Sequence, residues 1–421
     1  MAGGARPSAP RCPWRLARFG DELLATHLAS GPRPPPKAAP LNTPESRHLA
    51  GLDLLRGLAI VLVVLFHHPR PPDHETYRMV ANFGWTGVEL FFVLSGFLIG
   101  AQFLEPLAKG ETPSLRRFYL RRALRILPPF LVVLGLYVFV PAWSERPFVT
   151  PAWRFLTFTQ NFGLHRNGFS HAWSLCVEEH FYLVLPLTLL ALRGRARAPY
   201  VLAGAVAVML GGMLLRGGLW LHLFGSLGPD DLAWRDYDTF LYYPTYARLD
   251  GLLCGVLLAT VRVFRPALWQ RWTQRPGVLL PGFGLLCLGG AAYVNQQYNR
   301  EFSFAVLAFP LAALGYAALL VSMAGPAVSR VCARIPGVRT FAVLSFTVYL
   351  THKSMQHLVR VALEPYGLGT FHVVTLVGGA VAVLLASLLL HHGVERPALR
   401  WRERLERRLT GKEHRVSPAL R

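Results

Sequence analysis

Apolar runs about as long as a bilayer's hydrocarbon core is thick, roughly 20 residues, constrain this chain more than any other feature. Residues 49–68 read LAGLDLLRGLAIVLVVLFHH, and comparable runs recur at 83–104, 124–141, 173–192, 199–220, 244–263, 278–294, 303–323, 341–361 and 372–391. Amphipathic helices of a soluble core keep a polar face, and these runs do not. The expected fold is an all-α integral membrane protein of about ten transmembrane helices. Composition agrees: 52% of residues are hydrophobic and 16% charged, against roughly 25% charged in a soluble domain.

The net charge of +21 raises nucleic acid as a partner, but the placement of the charge argues for none. Most of the 44 Lys and Arg fall in the two termini, in the alternate loops 105–123, 193–198, 264–277 and 324–340, and in their flanks. That asymmetry puts both termini in the cytoplasm and leaves membrane lipids as the partner. Residues 1–48, with the run PRPPPK at Pro32–Lys37, read as a disordered or amphipathic cytoplasmic extension and lack the apolar core of a secretory signal. Residues 49–400 form one membrane domain. Residues 401–421 are a basic tail suited to anionic headgroups. Cys12, Cys176, Cys254, Cys287 and Cys332 form no CxxC pair and read as packing residues, with no disulfide and no metal site.

An ionisable residue within a span costs about 2.5–3.5 kcal/mol on insertion scales, so it is a functional candidate by default. The first span carries Arg56 and His67, eleven residues and thus about 16 Å apart along the helix axis. Arg56 lies toward the cytoplasm, where its fork suits a phosphate; His67, near the other face, suits a general base. Snorkelling and an interfacial cap are the plainer readings of the two. Glu89 sits in the second span among Gly84, Gly87, Gly96 and Gly100, which allow close helix approach; it could pair with Arg56 or orient His67. Arg121, Arg122 and Arg125 enter the third span, with Arg121 or Arg122 sharing a face with Arg125, a set that suits a nucleotide diphosphate. The fourth span opens HAWSLCVEEHFYLVLP, placing His171, Ser174 and Glu178 on one face and Glu179 with Tyr182 on the next. Arg248 and Asp250 start the sixth span. His352 and Lys353 lie in the ninth at a depth like that of His67, and Glu395 with Arg396 reads as a local ion pair after the tenth. The spacing matches no zinc motif.

Together these pieces resemble a known family. Arg56 with ten residues before His67, GVELFFVLSGFLIG, FYLRRALRILPPF, HAWSLCVEEHFYLVLP, YARLDGLLCG, YLTHK and VERP occur in the order found in acyltransferase family three of membrane proteins. The resemblance implies transfer of an acyl group, usually acetyl, from acyl-coenzyme A as co-substrate to a hydroxyl on a sugar, lipid-linked glycan or small natural product. It implies Arg56 and His67 as an essential pair and importance for Arg122 and Arg125. Glu178 and Glu179 would assist the base or bind acceptor hydroxyls, and Ser174 is either an acyl relay or a helix-start polar residue. His180, Glu89 and Thr351 depart from the glutamine, aspartate and aromatic common in the family. With about 30 residues after the last span, the chain is expected to lack the hydrolase-like domain some relatives carry. A bacterial inner or plasma membrane is the implied location. The alternative is a proton-coupled exporter of glycans or small molecules, with His67, Glu178, Glu179 and His352 as a relay.

Overall fold

The computed structural model describes residues 49–70, 74–164, 167–192, 198–226, 234–274, 277–297 and 301–416. The proposed extension at 1–48 lies outside them. Among the described residues the secondary structure is all helical, with no strand. The principal helices are α1 (Ala50–His67), α2 (Thr86–Ala108), α3 (Leu115–Phe139), α4 (Trp173–Ala191), α5 (Ala198–Phe224), α6 (Asp250–Phe264), α7 (Pro266–Gln274), α8 (Leu279–Gln297), α9 (Phe309–Met323), α10 (Val338–Leu363), α11 (Val373–Leu390) and α12 (Arg396–Val416).

Seven stretches are long and apolar enough to cross a membrane, and eight if the bent pair α6–α7 counts as one. The ten runs each meet a helix, but three differ from a simple span. The α6–α7 pair turns through 110°, α8 has only a short apolar stretch, Leu279–Asn295, and α10 carries Arg339, Lys353 and Arg360 along one helix. Of the basic tail at 401–421, residues up to Val416 lie in α12, which begins at Arg396.

Burial separates the centre of the bundle from its rim. The apolar window of Glu75–Ala108 is 78% buried and that of α5 only 6%, so α2 is the axis and α5 lies at the rim with its apolar side chains turned outward. Small residues make the axis possible. A Cβ on Gly87 would collide with the Ala59 carbonyl of α1, and one on Gly96 with the Leu252 carbonyl of α6. Gly255, four residues after Gly251, in turn meets Val93 and Phe97 of α2. The glycines noticed in the second span thus divide between two neighbours, fixing how α1 and α6 present their side chains.

Candidate active site

Two ion pairs brace the interior. Arg248 and Glu89 are both fully buried, with an N–O distance of 2.5 Å, and the Arg248 guanidinium lies 4.1 Å from the Phe309 ring centroid and 4.4 Å from that of Tyr242. Arg216 of α5 donates to both Asp250 oxygens at 2.8 and 3.1 Å and to the carbonyls of Ala247 and Ala305. Glu89 therefore pairs with neither Arg56 nor His67, because its position on α2 faces α6. The partner of Asp250, Arg216, was not singled out by the sequence reading. These residues join helices and hold the walls of the site in place.

Among the described residues, four cavities share wall residues in sequence. The first is lined by Asp53, Arg56, Arg125, Arg339, His391, Glu395 and Arg402 among others. Arg56 and Arg125 also line the second, of about 160 Å³, with Arg122, Ser95, Ser174, Glu178, Tyr182 and Tyr349. Tyr349 continues into a third, which holds His67, His171, Trp85 and Tyr242. His67 then opens onto a fourth, with His68, Glu145, Arg146, Lys353, His357 and Arg360. Arginines crowd the first two cavities, Arg146 and Arg360 also line the fourth, and His67 lines both the third and the fourth.

Arg56, Arg122 and Arg125 share the second cavity. Arg121 does not: it makes a two-pronged bond to Glu406 of α12, both contacts 2.8 Å. Between the two candidates for Arg125's companion, the helix register selects Arg122, whose guanidinium also lies 4.7 Å from the Tyr182 ring centroid. Glu178 accepts from Ser95 Oγ at 2.7 Å and from the Tyr182 hydroxyl at 3.0 Å. Tyr182 therefore belongs to the Ser174–Glu178 face rather than with Glu179, being four residues beyond Glu178. Glu179 is not part of that cavity's wall. Glu395 accepts from His391 Nδ1 at 2.7 Å instead of pairing with Arg396, because residues four apart on a helix are neighbours and adjacent ones do not face each other.

Three imidazoles meet at the junction of the third and fourth cavities. Ring centroids lie 5.0 Å apart for His67–His352, 4.9 Å for His171–His352 and 6.2 Å for His67–His171. The equal depth expected of His67 and His352 appears here as proximity. His67 Nδ1 is 2.9 Å from the Val63 carbonyl and His352 Nδ1 is 2.8 Å from that of Tyr349. In the neutral rings these nitrogens carry the proton and donate it, so each Nε2 bears a lone pair. His352 Nε2 and both His171 ring nitrogens are buried with no hydrogen-bond partner among the described residues. Among those residues no group of His, Cys, Asp or Glu has metal-holding geometry.

His171 is held by an unusual backbone. Phe169 has φ +59°, a left-handed conformation costly for a bulky side chain. It is offset by stacking of the ring on Tyr137 at 4.6 Å and Phe155 at 5.7 Å. Ser174 Oγ lies 2.6 Å from the Tyr349 hydroxyl, which itself donates to the His171 carbonyl; Ser174 is therefore the donor to Tyr349. Tyr349 lines both interior cavities and was not singled out from the sequence.

On the far side, Lys353 is 2.5 Å from Glu145 and donates to Ser170 Oγ at 3.1 Å. Glu145, a loop residue also missed, accepts from the Tyr137 hydroxyl. Burial disfavours its carboxylate, but Lys353 more than offsets this and holds the group below its ordinary value. A carboxylate with a depressed folded pKa stabilises the fold above its unfolded value, about 4.3, and loses that contribution as pH falls through the folded one. Acidifying from about pH 6 to below 4 is thus expected to lower the unfolding temperature of the wild type more than that of Glu145→Gln. Equal slopes in a thermal-unfolding series would mean that the pair contributes nothing.

Residues 49–392 match the model of the acyltransferase domain, the third acyltransferase family. The chain is 28% identical over 240 residues to the peptidoglycan O-acetyltransferase OatA of Listeria monocytogenes, covering 52% of this chain and 35% of that one. A putative peptidoglycan O-acetyltransferase of Bacillus subtilis, YrhL, is 28% identical over 52% of this chain and 34% of its own length. A putative O-acetyltransferase of Staphylococcus aureus is 26% identical over 51% of this chain and 35% of its own. The chain thus spans about a third of the length of these curated relatives. No solved structure matches it. The family match covers most of the chain and includes Arg56, His67, Arg122, Arg125, Glu178 and His352, and the chain belongs to acyltransferase family three.

Proposed function

We propose that this protein is a membrane O-acyltransferase that carries an acyl group, acetyl by likeness to its relatives, from acyl-coenzyme A to a hydroxyl of a glycan. The observation that carries the reading is the row of cavities, with Arg56, Arg122 and Arg125 together in one of them and His67 shared by two others. The segregation of Lys and Arg supports ten membrane-embedded segments in a bacterial inner or plasma membrane, with both termini and the arginine end in the cytoplasm. A polyanionic donor fits that end: Arg56, Arg122 and Arg125 bring three guanidinium groups to one cavity, and guanidinium forks match phosphate oxygens.

The acceptor hydroxyl approaches from the fourth cavity. His67 Nε2 takes its proton as the hydroxyl oxygen bonds to the acyl carbon; the carbon–sulfur bond breaks and the proton passes to the departing sulfur. The products are an ester and a free thiol. The unpartnered nitrogens of His171 and His352 are available to the acceptor hydroxyl or the thioester oxygen. Direct transfer is favoured over an acyl-serine relay, because Ser174 gives its proton to Tyr349, whose own proton goes to the His171 carbonyl.

Purified protein in nanodiscs, given acetyl-coenzyme A and peptidoglycan fragments, is expected to release thiol in step with ester formation. An exporter would release none. Arg122→Gln is expected to raise the donor KM about tenfold, the worth of a hydrogen bond to a charged group, while Arg121→Gln leaves it within about twofold. Equal effects of the two substitutions on donor KM would remove the assignment of the donor site.

A further inference from the structure

We infer that the acceptor is an anionic glycan, its carboxylate or phosphate held by Arg146 and Arg360 in the cavity beside His67. The inference rests on the acyl-transfer reading and narrows its substrate class. The fourth cavity, of about 230 Å³, is lined by Lys353, Arg146 and Arg360. Its single carboxylate among the described lining residues, Glu145, is already bound by Lys353 at 2.5 Å and by the Tyr137 hydroxyl at 3.1 Å. That pair cancels, and two guanidinium groups remain uncompensated. Arg360 contacts His357 Nδ1 at 3.2 Å, a neutral acceptor that offers no charge in return. Arg146 has no carboxylate partner among the described residues.

A neutral sugar gains little from this arrangement, since its hydroxyls are served by uncharged donors and acceptors. Two cations lining a recess attract an anionic acceptor and fix it by paired hydrogen bonds. Their place matters as much as their charge. They share the cavity with His67, so an anion bound there puts the rest of its glycan within reach of the base. Arg360 is half-buried in the recess and Arg146 is exposed at it, so an acceptor can enter past Arg146 and be held by Arg360 next to the base.

The test is mass spectrometry of glycans and lipid-linked glycans from cells that encode the protein, from cells lacking it, and from the latter complemented with the wild type, Arg146→Gln/Arg360→Gln or Arg146→Lys/Arg360→Lys, at matched membrane levels. The wild type is expected to restore an acyl increment on a molecule that carries a carboxylate or a phosphate, and fragmentation identifies which. The glutamine pair is expected to lower the acylated fraction about tenfold, with the lysine pair between it and the wild type. An acyl increment on a neutral glycan, or a glutamine pair equal to the wild type, overturns the anionic acceptor. No increment in any strain overturns the acyl-transfer reading itself.

Discussion

Replacing His67 with Ala is expected to lower acyl transfer by about 10²–10⁴-fold, the usual worth of a positioned general base, with donor KM little changed. The separation follows from geometry. Of the arginines proposed to meet the donor, Arg56 lies about 16 Å along α1 from His67, and all three line cavities that His67 does not. His67 is also the one residue common to the third and fourth cavities, so an acceptor reaching the thioester must pass it. His67→Gln keeps side-chain volume and hydrogen bonding but has no basic nitrogen, and it should be as impaired as Ala. A Gln variant with near-normal turnover would mean that the ring fills space and moves no proton. His352→Ala should cost less, because His352 Nε2 would assist the acceptor and not accept its proton.

Breaking the Glu89–Arg248 pair is expected to have the largest effect on folding. Both side chains are fully buried, and removing one partner of such a pair strands a charge at a cost of about 3–5 kcal/mol. Glu89→Ala and Arg248→Ala should each lower the yield and unfolding temperature of detergent-solubilised protein sharply. The double replacement Glu89→Leu/Arg248→Met should recover much of the loss, because it removes the stranded charge along with the pair. Arg248 also spans Trp173, Tyr242 and Phe309, so its replacement should further loosen the wall of the third cavity. A double variant no better than either single one would show that packing, not charge, is the main term.

Depth along a helix could be read from the sequence, and rotation about it could not. Counting residues inward from the charged loops put His67 and His352 at one level, and the rings lie 5.0 Å apart. The same counting placed Arg121, Arg122 and Arg125 at one mouth, yet only the register of α3 sends Arg121 to Glu406 and its two neighbours to the cavity. Glu89 was legible as a costly buried charge; its partner, 159 residues later, depends on α2 meeting α6 through glycines. Arg216 carried a signal, as the one arginine in the apolar run 199–220. Tyr349 and Glu145 carried no such signal, since a tyrosine in a span and a glutamate in a loop are both ordinary. The seven clear crossings were visible as apolar length. The bend at α6–α7 was not, because hydropathy does not report direction.

Donor and acceptor are expected to meet from opposite sides of the membrane through one row of cavities. Proteoliposomes with the protein in known orientation test it: acetyl-coenzyme A is supplied only at the arginine face, and an acceptor glycan only at the face where His67 opens. Ester formation in sealed vesicles, dependent on His67 and accompanied by thiol release at the arginine face, is the predicted result. Ester formation only when both substrates share one side would contradict the account.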